Sequence, residues 1–134
     1  MIKKLLLLTI LISNLLYSAD LTVVINNGEL KGTAYLALYK GKEGFLKKDS
    51  VFKGVKFDLV PNETIINITE LPAGDYAYIV FHDENENGTL DTNFMKIPKE
   101  PTGSSNNFRP KFKPNYDDFK FTLDEKVTQK IDLK

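Results

Sequence analysis

The stretch that decides the fold is residues 75–81, Asp75-Tyr76-Ala77-Tyr78-Ile79-Val80-Phe81. The six residues after Asp75 are all aromatic or aliphatic, so both faces of a strand here are apolar. Strands of this kind lie in the middle of a sheet and are covered on both sides. The turn Leu71-Pro72-Ala73-Gly74 precedes the strand, and we expect the Tyr76 hydroxyl to tie down that corner.

Short β-rich segments lie on both sides of this central strand. Most of them end in turn residues, and no long helical pattern separates them. We predict these strands at 20–26, 32–40, 55–60, 64–70, 116–123 and 126–133. Together with 75–81 they predict an all-β sandwich of about seven antiparallel strands, each with one buried face.

The first 19 residues have the pattern of a secretory signal peptide. Lys3 and Lys4 precede an apolar run over 5–16, and Tyr17-Ser18-Ala19 follows as a cleavage region. The run is shorter than the about 20 apolar residues that span a bilayer, although a membrane anchor stays an alternative. We predict cleavage after Ala19, a single domain over 20–134, and a periplasmic or extracellular location.

Composition excludes several classes of protein. The chain has 134 residues, 18 basic and 18 acidic side chains, one His and no Cys. The absence of cysteine excludes a disulfide scaffold, a thiolate metal site and a Cys nucleophile. Loss of Lys3 and Lys4 with the leader leaves a slightly acidic domain, which does not suit nonspecific nucleic-acid binding. We therefore expect no nucleic-acid partner and no stable membrane insertion after cleavage.

Residues 83–115 form a long loop that is rich in Asn, Gly, Pro and Ser, and loops of this length are usually functional. It begins with the pattern Asp83-x-Asn85-x-Asn87-Gly88-Thr89-Leu90-Asp91. Oxygen-bearing side chains at alternate positions converge on one cation when the chain wraps around it, as in the first nine positions of an EF-hand-type calcium loop. We predict that Ca²⁺ is held by Asp83, Asn85, Asn87, Thr89 (through its carbonyl) and Asp91.

The closing ligand of an EF-hand is missing from this pattern. Its twelfth position is Phe94 rather than Glu, so any further ligand comes from elsewhere, with Asn93 and Glu100 as candidates. The alternative is an Asn-Gly turn that carries solvated polar side chains and binds no metal. His82 next to this loop has no partner nucleophile, and we expect a structural role for it.

The second half of the long loop is basic. The segment from Lys96 to Lys113 contains five cations and one acid, Glu100. Two aromatic residues, Phe108 and Phe112, lie among the last of these cations. The cations are Lys96, Lys99, Arg109, Lys111 and Lys113. The segment indicates either a surface for an anionic polymer or sugar ring, or aromatic side chains tucked under the loop with the lysines solvated. We favour the second interpretation.

Four motifs in this order resemble a family of small exported bacterial proteins, the domain of unknown function 2141. They are Leu71-Pro72-Ala73-Gly74-Asp75-Tyr76-Ala77, the run from His82 to Asp91, Ile97-Pro98-Lys99-Glu100 and Gly103-Ser104-Ser105-Asn106-Asn107. The resemblance implies a secreted β-sandwich and brings no catalytic residues with it. The first motif is also similar to a segment of transthyretin-like sandwiches and B-type surface repeats, so we expect an immunoglobulin-like or transthyretin-like sandwich.

These observations favour an exported, non-enzymatic module that calcium stabilises through the Asp83–Asp91 loop. We expect it to have a binding or accessory role in the cell envelope, with an unknown ligand or an envelope protein as partner. The alternative is a small secreted carbohydrate-active or other hydrolytic enzyme that uses the acidic loop. No G-x-S-x-G motif occurs, and Glu84 and Glu86 lie in a loop where a raised pKa is hard to maintain.

Overall fold

The computed structural model describes residues 18–92 and 98–134. Most of the predicted leader (1–17) and the loop residues 93–97 lie outside that description. Besides two 3₁₀ turns (Lys48–Ser50 and Ser105–Asn107), the described part has eight strands and one short α-helix, α1. In chain order these are β1 (Ser18–Gly28), β2 (Gly32–Lys40), β3 (Lys53–Leu59), β4 (Asn62–Pro72), β5 (Gly74–His82), β6 (Thr102–Ser104), α1 (Tyr116–Phe119), β7 (Phe121–Leu123) and β8 (Val127–Asp132).

The strands form two sheets, which confirms the predicted all-β sandwich. One sheet has the order β4-β1-β8, and the other has the order β3-β2-β5-β6. The short strands β6 and β7 share one edge of β5, where β6 pairs with residues 79–81 and β7 pairs with residues 74–76. All pairs are antiparallel except β1 with β8, which is parallel. The strand number and this parallel pair are the differences from the seven antiparallel strands expected.

Alternation in β1 shows why these segments become half-buried strands. Leu21, Val23 and Ile25 are fully buried in the main core, while Thr22 and Val24 between them are partly exposed on the outer face. A strand with a period of two places every second side chain on the same face, so three β-branched or leucine side chains enter the core together.

The central strand β5 is covered on both faces, as its sequence predicts. Tyr76, Tyr78 and Val80 are fully buried in the main core between the sheets. Ala77 and Ile79 on the other face belong to a second apolar cluster, which also contains Phe45, Phe108, Tyr116 and Phe119. The Tyr76 hydroxyl donates a hydrogen bond of 2.6 Å to the Pro72 carbonyl and so holds the β4–β5 corner.

The prediction of a continuous strand over 116–123 is wrong in its first half. Residues 116–119 form the helical turn α1, and only residues 121–123 pair as a strand. Asn115 is the N-cap, and its side-chain oxygen accepts a hydrogen bond from the Asp117 amide. Tyr116 and Phe119 are three residues apart, so one turn of helix places both in the second cluster.

The described parts of the predicted long loop, residues 83–92 and 98–115, are internally organised and contain β6, which the sequence analysis missed. A Cβ at Gly103 would lie 2.6 Å from the Asp132 carbonyl oxygen, so this strand passes too close to β8 for a larger residue. Thr102 and Lys134 exchange two backbone hydrogen bonds of 3.2 Å beside it. The chain end therefore ties the two sheets together next to β6.

The N-terminal end of β1 includes two residues of the predicted leader. Ala19 is 2 % exposed and is paired with Leu71, and Ser18 is paired with Pro72. Among the described residues, no helix is both long and apolar enough to cross a membrane.

Candidate functional site

The acidic loop, residues 83–91, leaves the sandwich where β5 ends. The Asp83 amide donates to the Thr33 carbonyl at 2.9 Å, and the His82 amide donates to the Pro101 carbonyl at 2.9 Å. These two bonds fix the start of the loop between β2 and the segment that leads into β6. As a result, Asp83 is only 2 % exposed although it begins a loop.

The loop wraps around the Asp83 carboxylate. One carboxylate oxygen accepts the Asn87 amide at 3.2 Å, and the other accepts the Gly88 amide at 2.8 Å. Gly88 has φ +75°, in the left-handed region that favours glycine, and this reverses the chain. The carboxylate of Asp83 therefore organises the turn that the Asn-Gly pair makes possible.

Asp91 closes the loop from its other end. The side-chain amide of Asn85 donates to Asp91 at 2.7 Å, and that of Asn87 donates at 2.9 Å. Hydrogen bonds from Asn87 and Asn85, together with the nearby charge of Lys99, hold the pKa of Asp91 below its usual range. Thr89 joins the same arrangement, since its amide donates to the Asn87 side-chain oxygen at 3.0 Å.

Glu100 connects the two ends of the acidic loop. Its side chain is largely buried, with 7 % of the residue exposed. One of its oxygens accepts the Glu84 amide at 2.7 Å, and the other accepts the Asp91 amide at 2.9 Å. Of the two candidates for an additional ligand, Glu100 thus lies at the loop, whereas Asn93 is outside the described residues.

Four of the five predicted ligands are therefore linked through side-chain hydrogen bonds, and Thr89 is linked through its backbone. The two asparagines direct amide nitrogens at Asp91 in this arrangement. Within residues 18–92 and 98–134, no three His, Asp or Glu side chains come together as a metal-binding group. The structure thus brings the Asn85 and Asn87 side chains to Asp91, and the Asp83 carboxylate to the backbone amides of Asn87 and Gly88.

His82 has the contacts of a structural residue. Its Nε2 lies 2.7 Å from the Lys31 carbonyl, which joins the end of β5 to the turn before β2. Its Nδ1 is buried without a hydrogen-bond partner and lies 3.7 Å from a carboxylate oxygen of Glu84.

The basic segment is divided between core and solvent, so the interpretation that both aromatic side chains are tucked under the loop is wrong for Phe112. Phe108 packs edge-to-face on Phe119 at 5.1 Å, whereas Phe112 is 89 % exposed. The Arg109 guanidinium donates to the Thr102 carbonyl at 2.9 Å and to the Lys134 carbonyl at 3.3 Å, a role that the sequence did not signal.

Two shallow grooves, with volumes of about 430 and 280 Å³, lie beside this segment rather than at the acidic loop. The larger is lined by Lys42, Phe45 and residues 113–116. The smaller is lined by residues 108–113 and Asp118, the one carboxylate in either lining.

A protein-family model matches most of the chain. Residues 23–131 match the model of DUF2141, described as an uncharacterised protein conserved in bacteria. Neither the curated proteins nor the solved structures contain a match. The matched region includes six complete strands, β2–β7, most of β1 and β8, and the whole acidic loop. The chain therefore belongs to DUF2141, the family of uncharacterised bacterial proteins that its four motifs resemble.

Proposed function

We propose that this protein is an exported, non-enzymatic β-sandwich module that calcium stabilises through the acidic loop, with a binding or accessory role in the cell envelope. The observation that carries the proposal is the way the loop is built. Asp83, Asp91 and Glu100 are all joined to one nine-residue loop by hydrogen bonds of 2.7–3.2 Å.

A rearrangement of two side chains would convert this arrangement into a cation site. Rotation of the Asn85 and Asn87 amides by half a turn replaces the nitrogens facing Asp91 by oxygens, and Ca²⁺ binds carboxylate and amide oxygens. The same rotation breaks the hydrogen bonds that these oxygens accept from the Asn87 and Thr89 backbone amides, so calcium coordination has to outweigh their loss. Asp83 and Glu100 keep free lone pairs after accepting backbone amides. Calcium would then bind to Asp91 and the two amide oxygens, with Asp83 as the second carboxylate ligand.

The hydrolytic alternative needs two carboxylates across a concave substrate site. The carboxylates of Asp83 and Glu100 are instead engaged by backbone amides within the loop. Glu84 and Glu86 are exposed on its outer side. These contacts favour a loop that serves stability over one that cleaves a bond.

Thermal unfolding in calcium and in chelator tests the metal proposal. With few ligand charges we expect a dissociation constant on the order of 10⁻⁴ M. At about 1 mM calcium this stabilises the fold by roughly 1.4 kcal/mol, a rise in Tm of about 4–8 °C. Magnesium should raise the Tm much less because it requires a tighter octahedron. Identical melting curves in calcium and chelator would overturn the metal proposal.

Asp91→Asn is the variant that isolates the ligand, and Glu86→Gln is its matched control. Asp91 accepts hydrogen bonds mainly from exposed amides, so Asn there should remove most of the calcium shift and lower the metal-free Tm only modestly. Glu86→Gln removes the same charge from an exposed position of the same loop and should keep the shift. Asp83→Asn is less informative because an Asn side chain keeps only one acceptor oxygen, so one of the two backbone hydrogen bonds to Asp83 is also lost.

Export is tested separately by the intact mass of protein recovered from the producing cell. We expect a chain that begins at Asp20, because the cleavage region ends at Ala19. Full-length chain retained in the inner membrane would favour the anchor instead. The calcium and export results are independent, so either part of the proposal can fail alone.

A further inference from the structure

A short exposed loop, the basic tip (residues 110–114), leaves the sandwich between Phe108 and α1. It reads Pro110-Lys111-Phe112-Lys113-Pro114, and all five residues are exposed. Phe112 is 89 % exposed, the largest fraction among the exposed large hydrophobic side chains of the described residues. Binding that buries such a side chain gains more free energy than burial of a half-exposed one of the same size, because almost its whole area is still in contact with water.

The base of the basic tip is held firmly. On one side, Phe108 packs against Phe119, and the Arg109 guanidinium is bonded to backbone carbonyls near the chain end. On the other side, Asn115 caps α1. Pro110 and Pro114 fix their own φ angles within this frame. Little conformational entropy is therefore lost when the tip meets a partner.

The charge around Phe112 is positive. Lys111 and Lys113 flank it in the chain, and Lys42 lines the same groove as Lys113. Two acids lie nearby in α1. Asp118 lines the neighbouring groove, and Asp117 is 3.7 Å from Lys120, which offsets its charge. The surface around the exposed ring thus combines one apolar group with an excess of cations.

We propose that the basic tip is a peripheral contact for an anionic phospholipid surface, with Phe112 in the interfacial region and Lys111 and Lys113 on the lipid phosphates. This combination of an apolar side chain and lysines is the one that anionic bilayer surfaces attract. A soluble polyanion would use the lysines but would leave Phe112 in water. The proposal rests on the proposed export only because export decides which membrane surface the protein meets. It does not involve the acidic loop.

The absence of tryptophan makes a direct test possible. Phe112→Trp places a single tryptophan at the tip, and Ile65→Trp places one at a 57 % exposed position of β4, in the other sheet. With chelator present and phosphatidylglycerol-rich vesicles added, the emission of the Phe112→Trp variant should shift to the blue and be quenched by brominated lipid. The emission of the Ile65→Trp variant should change little. An unchanged spectrum of the Phe112→Trp variant would overturn the proposal.

Vesicle sedimentation supplies the second measurement. Lys111→Gln with Lys113→Gln should weaken binding about fivefold for each lysine removed. The matched pair Lys126→Gln with Lys130→Gln removes the same charge from exposed positions at β8 and should bind like the wild type. Phe112→Ala should weaken binding about tenfold. Equal losses from both lysine pairs, unchanged binding of Phe112→Ala, or binding to dextran sulfate without binding to vesicles would each overturn the membrane contact. None of these results bears on the calcium shift.

Discussion

The acidic loop and the basic tip are both irregular and charged, but the acidic loop is held by two buried carboxylates, whereas the basic tip presents its charges to solvent. Asp83 and Glu100 are buried and accept four backbone hydrogen bonds between them. Lys111 and Lys113 are exposed around an exposed ring. The reason is hydrogen-bonding capacity. A carboxylate accepts hydrogen bonds from the backbone amides of the acidic loop, whereas a lysine ammonium has only donors and cannot pair with an amide N–H.

The sharpest contrast lies between the basic tip and the second apolar cluster on which its base rests. Phe119 is 1 % exposed and contacts Phe45 and Phe108 with ring centroids 5.2 and 5.1 Å away. Phe119→Ala should lower the free energy of unfolding by about 3–5 kcal/mol, because it leaves a cavity in the second cluster. Urea unfolding measures this. A loss under about 1 kcal/mol would mean that the base is not a packed core.

Removal of Glu100 tests whether the acidic loop is held from inside. Glu100→Ala leaves the Glu84 and Asp91 amides without their acceptor, and we expect a loss of about 2–4 kcal/mol in metal-free buffer. Glu84→Ala is the control, since the Glu84 side chain is exposed and the hydrogen bond uses its backbone. Equal effects of the two substitutions in urea unfolding would show that the Glu100 carboxylate does not organise the loop.

The acid limb of the stability curve reports on the acidic loop through Asp91. The folded protein holds the pKa of Asp91 below its unfolded value, so the unfolded state binds the proton first as the pH falls. The resulting stability is present above about pH 4 and is lost as the pH drops through the lowered pKa. In metal-free buffer, the free energy of unfolding of Asp91→Asn should therefore decline less steeply than that of the wild type between about pH 4 and pH 2.

Part of the acid decline should remain in that variant. Asp132 also has a lowered pKa, through hydrogen bonds from Asn107 and Asn26, and it lies outside the acidic loop. Phe112→Ala is the control, because it changes no titratable group. A decline as steep in Asp91→Asn as in the wild type would contradict the role assigned to these hydrogen bonds.

The smallest effect is expected at the tip itself. Phe112→Ala removes a side chain that is 89 % exposed and should change the free energy of unfolding by less than about 0.5 kcal/mol. Together with Phe119→Ala, it compares two phenylalanines seven residues apart in the chain. A loss above about 1.5 kcal/mol would place Phe112 against the fold in solution and remove the ground for a surface contact.

Much of the fold could be predicted because the signals are local. The apolar run of β5, the alternation in β1 and β8 and the Pro-Gly corner before Tyr76 each act over a few neighbouring residues. Periodicity alone then determines which side chains share a face. The same applies to the acidic loop, where alternate spacing and one glycine brought Asp83, Asn85, Asn87 and Asp91 together.

Helix α1 and strand β6 were missed for reasons that are also physical. Residues 116–119 have the aromatic content of a strand, but the Asn115 cap and the second cluster favour a helical turn. Residues 102–104 are too short and too rich in small residues to signal a strand, and they become one only because β5 offers a free edge.

By itself, the sequence determined the sandwich class, the two-faced central strand and the oxygen-rich turn, since each depends on spacing within a short window. Only the tertiary structure decided that β8 lies parallel to β1, that Glu100 bridges the acidic loop, and that Phe108 is covered while Phe112 is exposed. These outcomes depend on contacts between residues far apart in the chain. The free energy that favours each of them comes from packing across the whole domain, and a pattern of neighbouring residues carries no information about that packing.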